Sequence, residues 1–480
     1  MSDLLSTLDL WLGAALALAN LIASGHVILH KRDSRAAFTW TGFIWLLPGI
    51  GVLLYLLLGI NRIRRRAVRL REQRIAVPTT AEHRAAAILP PVELPTHSGM
   101  DVLARLGERL TRRPLLSGNR ITPLIDGDEA YPAMLDAIDA AQRSVALSSF
   151  IFADDPSGRR FVDALARAVA RGCEVRVLVD GIGAYYGWPP ITRALRAAGV
   201  PTARFLPLAS GAGLAFFNLR SHRKLLVADG RVAFTGGINI RQRHVLAAPG
   251  PGATRDVHFR VEGPLVGQLL DTFVDDWAFA SRETLAGPAW RAVAEPAGAS
   301  IARTVTDGPD DDIDVARHLL LGAITGARAR IDIVTPYFLP DQPMITALAV
   351  AAMRGVRVRI VLPRHGNIAL VRWATPAMLW QVLKPGCEVY LSDPPFDHAK
   401  LLIVDGAWSF IGSTNWDPRS LRLNFELDVE VFDADVAARL TPLVDERIAR
   451  SHRTTLAEMD GRALPRKLRD GIARLFSPYL

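Results

Sequence analysis

The chain has 480 residues, of which 50% are apolar and 22% are charged, and it carries a formal net charge of +9. This length has room for two or three domains, the apolar bias suggests a membrane portion, and the positive charge favours an anionic partner, either a lipid surface or nucleic acid. The chain has two cysteines, Cys173 and Cys387, each in a Gly-Cys-Glu-Val tetrad that opens an apolar run. We interpret both as buried free thiols, which excludes a disulfide framework, and their spacing excludes a cysteine metal site.

Two apolar stretches open the chain, at residues 10–29 and 38–60, and each is long enough to cross a hydrocarbon core. A short polar turn separates them, so the sequence predicts an N-terminal transmembrane helical hairpin rather than two buried helices. A cleaved signal peptide does not fit, because no positive residue precedes the first stretch and no small-residue cleavage site follows it. Pro48, with Gly49 and Gly51, predicts a kink in the second helix.

Residues 61–74 contain seven arginines and one acidic residue. The positive-inside rule places this segment in the cytoplasm, where its arginines would contact anionic headgroups. Prolines then recur through residues 75–116, which we interpret as a tether containing one helix near residues 103–110. The catalytic part is predicted to begin near Asn119.

From there the sequence repeats itself. Residues 133–152 resemble residues 319–338, as a helix followed by a strand that ends in aromatics, and residues 161–180 resemble residues 344–363, as a helix, Arg-Gly and a strand. This alternation predicts two homologous α/β sandwich halves, each with a largely parallel sheet, packed tightly as a pseudo-dimer. The joint between them is predicted within residues 288–312. The predicted division is a membrane anchor at 1–61, a basic segment and linker at 62–117, a first half at 118–287 and a second half at 305–480.

Each half carries a copy of one motif, at residues 221–239 and 397–415, and the two copies align without a gap. Each copy reads His-x-Lys, four mostly apolar residues, Asp-Gly, a second apolar run, and Gly-Gly or Gly-Ser followed after one residue by Asn. Side chains two apart on a strand share a face, so the histidine and the lysine of each copy project together. The Asp-Gly pairs predict hairpin turns.

Two such motifs facing each other would enclose a phosphate between imidazoles, ammonium groups and neutral donors. One histidine would attack phosphorus while the other, protonated, donates to the leaving oxygen, and the lysines would neutralise the transition state. The predicted catalytic residues are His222, Lys224, Asp229, His398, Lys400 and Asp405. The predicted substrate-binding residues, which would donate N–H groups to the anion, are Gly237, Asn239, Ser413 and Asn415.

These residues resemble the paired H-x-K-x4-D motifs of the phospholipase D superfamily. The resemblance implies two phospholipase D-like halves that transfer a phosphodiester without a metal or any other cofactor, through a phosphohistidine on His222. It also implies a later carboxylate in each half that holds the imidazole of that half. These histidine-orienting residues are predicted to be Asp256 in the first half and Glu426 in the second.

The segment WLLPGIGVLLYLLLGINR and the arginines after it resemble the membrane-anchoring N-terminus of bacterial cardiolipin synthases. That resemblance covers nearly the whole chain and implies a phosphatidyltransferase that converts two phosphatidylglycerol molecules into cardiolipin and glycerol. It implies anionic phospholipid and the membrane as partners, with no nucleic acid. The implied location is the bacterial inner membrane, with a multi-pass anchor and a cytoplasmic catalytic part.

Three alternatives stay open. Another phospholipase D or phosphatidyltransferase would use water or a different alcohol, because the motif residues do not choose the acceptor. A membrane-tethered nuclease would suit the basic charge equally, although no interleaved basic and aromatic residues indicate a nucleic-acid groove. A lipid-binding scaffold with a dead site ranks last, since both histidines and both lysines are present.

Two further stretches have two interpretations each. The insertion at residues 209–220 contains Phe216 and Phe217, which either line an acyl or headgroup entrance or pack in the core. The tail at residues 461–480 mixes basic and apolar side chains. It either lies on the membrane as an amphipathic helix or caps the fold.

Overall fold

The computed structural model describes residues 2–31, 34–59, 99–207, 219–248, 250, 252–293, 295–309 and 312–477. It contains two compact units, Met1–Ala67 and Val68–Leu480. The arginine-rich segment after residue 60 and most of the predicted tether lie outside the described residues. So do Phe216 and Phe217 in the predicted insertion.

The first unit begins with α1 (Ser2–His30). Within the described part of the chain, its segment Leu10–His30 is the only helix that is long and apolar enough to cross a membrane. The second apolar stretch is not one continuous helix, which corrects the predicted hairpin of two full spans. It forms α2 (Ser34–Leu46), a break, and α3 (Ile50–Leu54), followed by a π-helical turn at Tyr55–Gly59.

The break falls where the sequence predicts a kink. Pro48 lacks a backbone N–H, and Gly49 adopts a φ of 80°, a left-handed conformation that glycine adopts without steric cost. The three helices bury a small core of Ala23, Val27, Ile44 and Tyr55. The remainder of α1 exposes large apolar side chains, among them Leu10, Leu18, Leu21 and Ile28. Exposed apolar surface of this extent is typical of a helix that contacts lipid or another protein.

The second unit opens with α4 (Met100–Thr111), which confirms the helix predicted in the tether. Two halves of similar order follow. The strands of the first half are β1 (Leu116–Ile125), β2 (Ser144–Ser149), β3 (Glu174–Asp180), β4 (Thr202–Phe205), β5 (Arg220–Ser221), β6 (Leu225–Ala228), β7 (Val232–Gly236), β8 (Thr254–Arg255) and β9 (Val257–Glu262). Its helices are α5 (Asp126–Ala140), α6 (Pro156–Ala170), α7 (Ile191–Ala197) and α8 (Leu265–Ser281).

The second half repeats this order and adds elements at its C-terminal end. Its strands are β10 (Ser300–Asp307), β11 (Arg330–Val334), β12 (Arg357–Pro363), β13 (Glu388–Ser392), β14 (Phe396–Asp397), β15 (Leu401–Val404), β16 (Trp408–Gly412), β17 (Asn424–Phe432) and β18 (Ser451–Thr454). Its helices are α9 (Val315–Gly326), α10 (Gln342–Met353), α11 (Ala369–Ala374), α12 (Trp380–Leu383), α13 (Ala434–Ala449), α14 (Leu456–Asp460) and α15 (Leu464–Leu475).

The two halves share one sheet of 16 strands, in the order β18-β13-β12-β11-β15-β16-β17-β10-β1-β9-β7-β6-β2-β3-β4, with β5 paired to β17 outside this path. The pairing of β1 with β10 is antiparallel and joins the halves. Residues 300–307, which lie inside the predicted joint, are therefore a buried strand in the middle of the sheet. The joint ties the halves together through backbone hydrogen bonds, so it is more than a linker.

The sheet is mixed, which corrects the predicted largely parallel arrangement. In the first half β2, β3 and β4 are parallel, whereas β6, β7 and β9 pair antiparallel with their neighbours. The Asp-Gly turn accounts for the antiparallel pair of β6 with β7, because a tight hairpin returns the chain beside itself. The predicted hairpin turns are confirmed: Asp229 and Gly230 have φ of 54° and 63°, and Asp405 and Gly406 repeat them with 53° and 63°.

Helices cover both faces of the sheet, as the predicted sandwich requires. On β3, Val175, Val177 and Val179 pack into the core formed with α5 and α6. The alternate residue Arg176 points to the other face, where its guanidinium lies 5.8 Å from the ring centre of Trp277 in α8. Cys173 and Cys387 are buried free thiols, as predicted.

Candidate active site

Each motif histidine directly follows a short strand that pairs with a strand of the other half. The short strand β5, just before the first motif, runs parallel to the start of β17 in the second half. In the same way β14, just before the second motif, runs parallel to β8 in the first half. The N–H of His222 donates to the carbonyl of Phe425 at 2.9 Å, and the N–H of His398 donates to that of Arg255 at 2.8 Å. Each histidine is therefore held by the backbone of the opposite half.

The carboxylates cross in the same way. Nδ1 of His222 lies 2.8 Å from Oε2 of Glu426, and Nδ1 of His398 lies 2.8 Å from Oδ2 of Asp256. The sequence identified the two carboxylates but paired each with the histidine of its own half, and the structure corrects that pairing. Among the described residues, the ring-nitrogen hydrogen bonds of both histidines involve Nδ1. Nε2 of each ring makes none of these contacts.

Both lysines are buried against the histidines, with only 2% of Lys224 and 5% of Lys400 exposed. The ammonium of Lys224 donates to the carbonyl oxygen of His222 at 2.5 Å. That of Lys400 donates to the carbonyl oxygen of His398 and lies 3.0 Å from Nδ1 of the same ring. Two amino groups are thus held out of water, each beside the histidine of its own motif.

Burial dominates the protonation of this group. It lowers the pKa of His222 to about 4; the nearby lysines lower this pKa further, and Glu426 raises it. Burial also lowers the pKa of His398 well below its ordinary value. Burial also lowers the pKa of Lys224 to about 7 and that of Lys400 to about 8. For Glu426 burial opposes ionisation, but His222 and Lys224 outweigh it and hold the pKa of the carboxyl below its usual value. An anion bound between these groups would raise the pKa of each histidine and lysine.

Gly237 and Ser413, two of the predicted substrate-binding residues, make other contacts than the predicted ones. The N–H of Gly237 donates to the carbonyl of Val257, and that of Ser413 donates to the carbonyl of Leu427. Both backbone donors are therefore already used within the sheet, whereas the sequence predicted that they bind an anion. Both positions touch the orienting carboxylates. The hydroxyl of Ser413 donates to Oε2 of Glu426 at 2.6 Å, and a Cβ at Gly237 would lie 2.1 Å from Oδ1 of Asp256.

The two asparagines are buried in the loops behind the histidines. Oδ1 of Asn239 accepts from the N–H of Ile151 at 3.1 Å. Nδ2 of Asn415 donates to the hydroxyl of Ser420 at 3.1 Å. Each asparagine keeps amide N–H capacity beyond these contacts.

The structure places the motif aspartates outside the histidine–lysine cluster, and their catalytic role stays a prediction. Each lies directly after the four-residue strand that follows the lysine, and such a strand is about 13 Å long. The carboxylate of Asp229 accepts from the backbone N–H groups of Gln142, Arg143 and Ser144. That of Asp405 accepts from those of Arg328, Ala329 and Arg330. Both carboxylates hold the loop that leads into the neighbouring strand.

Two aromatic residues at the site were not selected from the sequence. The ring of Phe150 lies 5.1 Å from that of His222, and the ring of Tyr337 lies 6.3 Å from that of His398. The ammonium of Lys224 also lies 5.6 Å from the centre of the Phe150 ring, within range of a cation–π interaction. The sequence did contain a signal for them, because the repeated strand ends in aromatic residues in both halves. That end of the strand lies at the carboxyl edge of the sheet, next to the histidines.

Comparison with known proteins identifies the family. A family profile described as "Cardiolipin synthase, PLD-like domain" matches residues 134–277 and 320–447, which together are more than half of the chain. The chain belongs to the cardiolipin synthase family of the phospholipase D superfamily. A second profile, "Phospholipase_D-nuclease N-terminal", matches residues 18–59.

Curated cardiolipin synthases match almost end to end. The major cardiolipin synthase ClsA of Bacillus subtilis is 30% identical over 461 residues, which are 95% of this chain and 95% of that protein. The cardiolipin synthase of Oceanobacillus iheyensis is 29% identical over 479 residues, 98% of this chain and 99% of that protein. The crystal structure of phosphatidylserine synthase from Haemophilus influenzae superposes with a TM-score of 0.62 at 14% identity, over 79% of this chain and 100% of that one. That superposition supports the shared fold alone.

Proposed function

We propose that this chain synthesises cardiolipin by transferring a phosphatidyl group from one phosphatidylglycerol molecule to a second, with release of glycerol. The observation that carries the proposal is the crossed pair of histidines, each held by a carboxylate of the other half, in a chain that matches cardiolipin synthases over nearly its whole length.

In the first step Nε2 of His222 attacks the phosphorus of the first phosphatidylglycerol. The bond between phosphorus and the headgroup glycerol oxygen breaks, and protonated His398 gives its proton to that oxygen, so glycerol leaves. Glu426 accepts the Nδ1 hydrogen of His222, which leaves the lone pair on Nε2 and stabilises the positive charge that develops on the ring.

In the second step the terminal hydroxyl of another phosphatidylglycerol attacks the phosphohistidine. His398, now neutral, takes the hydroxyl proton, the P–N bond breaks, and both histidines return to their starting states. Asp256 holds the His398 ring through both steps by accepting from Nδ1, and it stabilises the protonated form that the first step requires.

Phosphate binding is assigned to Lys224 and Lys400, with the remaining amide N–H groups of Asn239 and Asn415. Buried ammonium groups stabilise the negative charge of the transition state strongly, because little water screens them. The bound phosphodiester in turn favours the protonated state of His398, which burial disfavours when no anion is present.

The N-terminal unit is proposed to insert in the bacterial inner membrane as a multi-pass anchor. The support is the length of α1 and its exposed apolar surface, with the broken second stretch supplying the return. The arginines after residue 60 favour a cytoplasmic catalytic part. The division into 1–61, 62–117, 118–287 and 305–480 is kept as a proposal for the domains.

The test uses the full chain in detergent with phosphatidylglycerol as the only lipid and no nucleotide, and mass spectrometry of the products. Cardiolipin and glycerol in equal amounts are expected. Phosphatidic acid with glycerol and no cardiolipin would instead show that water is the acceptor. No turnover of any lipid would contradict the proposal and direct attention to nucleic acid.

A further inference from the structure

Exposed apolar side chains surround the mouth of the histidine site in both halves. In the first half they follow β3, where Tyr185, Tyr186 and Trp188 are 48%, 55% and 85% exposed. In the second half they follow β12, the equivalent strand, where Ile368 and Leu370 are 43% and 41% exposed. Both segments leave the carboxyl ends of parallel strands, the edge at which ligands of such sheets bind.

Both segments are linked to the histidines by direct contacts. The ring of Tyr186 lies 5.9 Å from that of Phe150, which packs against His222. The hydroxyl of Tyr337, whose ring packs against His398, donates to Oδ1 of Asn367 at 2.7 Å, and Asn367 immediately precedes Ile368. Tyr186 is therefore connected to His222 through one intervening residue, and Ile368 to His398 through two.

The C-terminal helix α15 extends this surface in the second half. It packs against α11, which directly follows Ile368. Val371 and Arg372 of α11 line a cavity of about 80 Å³ that Tyr337 also lines. One face of α15 is apolar and exposed to solvent, with exposed fractions between 51% and 71% for Leu464, Leu468, Ile472, Leu475 and Phe476. These positions recur every three or four residues and form one stripe along the helix.

The exposed charges on α15 itself are positive. Arg466, Lys467 and Arg474 are exposed on α15, and none of them forms an ion pair with another described residue. The only acidic residue of the helix, Asp470, is buried and bound by Arg462 at 2.6 Å and by Arg469 at 2.7 Å. A helix with an apolar stripe, exposed cations and no exposed acid of its own is typical of one that lies in the interface of an anionic bilayer.

We propose that these two rims, Tyr185–Trp188 in the first half and Ile368–Leu370 with the exposed face of α15 in the second, form a bilayer-docking surface around the active-site mouth. The choice of an anionic lipid rests on the proposed function. Tyrosine and tryptophan side chains suit the boundary between headgroups and acyl chains, because each has an apolar body and a polar tip. Docking through both rims brings the headgroup to the histidines while the acyl chains stay in the bilayer.

The test places a spin label at one site at a time in the full chain, reconstituted in phosphatidylglycerol vesicles. Cys173 and Cys387 are buried, so a cysteine introduced by Ile472→Cys or Trp188→Cys is labelled selectively. Met353→Cys is the matched control, because Met353 is 67% exposed and ends α10, at the opposite edge of the sheet. We expect labels at 472 and 188 to be reached by oxygen dissolved in the lipid and to be shielded several-fold from a water-soluble nickel chelate, relative to the label at 353.

Equal access of the chelate to residues 472 and 353 would overturn the proposal. Shielding of residue 472 from both reagents, increasing with protein concentration, would also overturn it and assign the surface to a second copy or another protein. These readouts do not depend on turnover, so they separate failure of the docking surface from failure of the proposed reaction.

A kinetic test uses Leu468→Ser with Ile472→Ser and, as the control, Met353→Ser. We expect the double variant to turn over phosphatidylglycerol in vesicles about tenfold more slowly, because less apolar area is removed from water on docking. Its turnover of monomeric short-chain phosphatidylglycerol falls much less, and the control matches the parent on both substrates. Equal losses on both substrates would contradict a role in docking.

Discussion

Glu426 of the second half binds the imidazole of His222 in the first, through a contact of 2.8 Å between Oε2 and Nδ1. Asp256 and His398 repeat this contact in the opposite direction. Strand register shows that the two carboxylates are equivalent, since Gly236 pairs with His258 and Gly412 with Asp428, two residues after each carboxylate. Neither half therefore contains an oriented histidine of its own.

Replacing His222 by alanine is expected to reduce turnover at least about a thousandfold, because the covalent route loses its nucleophile. Cardiolipin formation from phosphatidylglycerol measures the effect, and a circular dichroism spectrum like that of the parent serves as the folding control. Turnover within about tenfold of the parent would refute the assignment.

Glu426→Gln is expected to slow the formation of the phosphohistidine by about 10- to 100-fold, because the amide no longer stabilises the charge that develops on the His222 ring. Rapid quenching with labelled phosphatidylglycerol measures this first step directly. Asp256→Asn, the matched variant in the other half, is expected to reduce overall turnover less than His222→Ala does. If Glu426→Gln left the first step unchanged, the crossed contact would have no part in catalysis.

The kcat/KM of the enzyme is expected to fall as the pH rises above about 7. Burial lowers the pKa of Lys224 to about 7 and that of Lys400 to about 8, so in the free enzyme the positive charges are present below these values and are lost as the pH rises through them. The pH profile of kcat/KM reports the free enzyme and measures this limb. Lys224, whose charge is lost first, is the residue to replace: Lys224→Arg keeps its charge to higher pH, so the variant's alkaline limb is expected to move upward even if its maximum rate is lower.

Asp405→Ala is expected to lower the free energy of unfolding by about 1–3 kcal/mol, because three backbone N–H groups at the start of β11 lose their acceptor. Asp229→Ala is the matched variant, with the same effect on the loop before β2. Urea unfolding measures the change, and kcat of the folded fraction is expected to stay within about threefold of the parent. A loss of kcat as large as that of His222→Ala, with unchanged stability, would return these aspartates to the catalytic set.

The sequence was sufficient for what depends on local pattern and repetition. The paired motifs, the hairpin turns, the helix α4 and both carboxylates follow from spacing, periodicity and resemblance. The partner of each carboxylate does not, because it depends on how β5 and β14 pair with the opposite half, and strands of two residues carry no readable signal. The backbone contacts of the motif aspartates were also not predictable, since a carboxylate that binds backbone N–H groups and one that acts in catalysis look alike in a sequence.

The N-terminal unit shows a different limit. Hydropathy measures only the apolar length of residues 38–60, whereas Pro48 and Gly49 decide that this length is divided between two helices. The central strand β10 was not predicted, because it lies in a segment rich in proline and acidic residues. Its place in the sheet comes from pairing with β1 and β17, both remote in sequence.

The exchange of carboxylates between halves has a consequence for the origin of the site. A homodimer of single halves would make both crossed contacts by its two-fold symmetry, and its two histidines would have identical surroundings. Fusion into one chain removes that constraint, and the halves have diverged: Gly237 faces Asp256 where Ser413 donates to Glu426, and His258 stands where the other half has Asp428. A reaction that needs one nucleophile and one acid can then divide the work, because a substitution in one half changes only one of the two histidines.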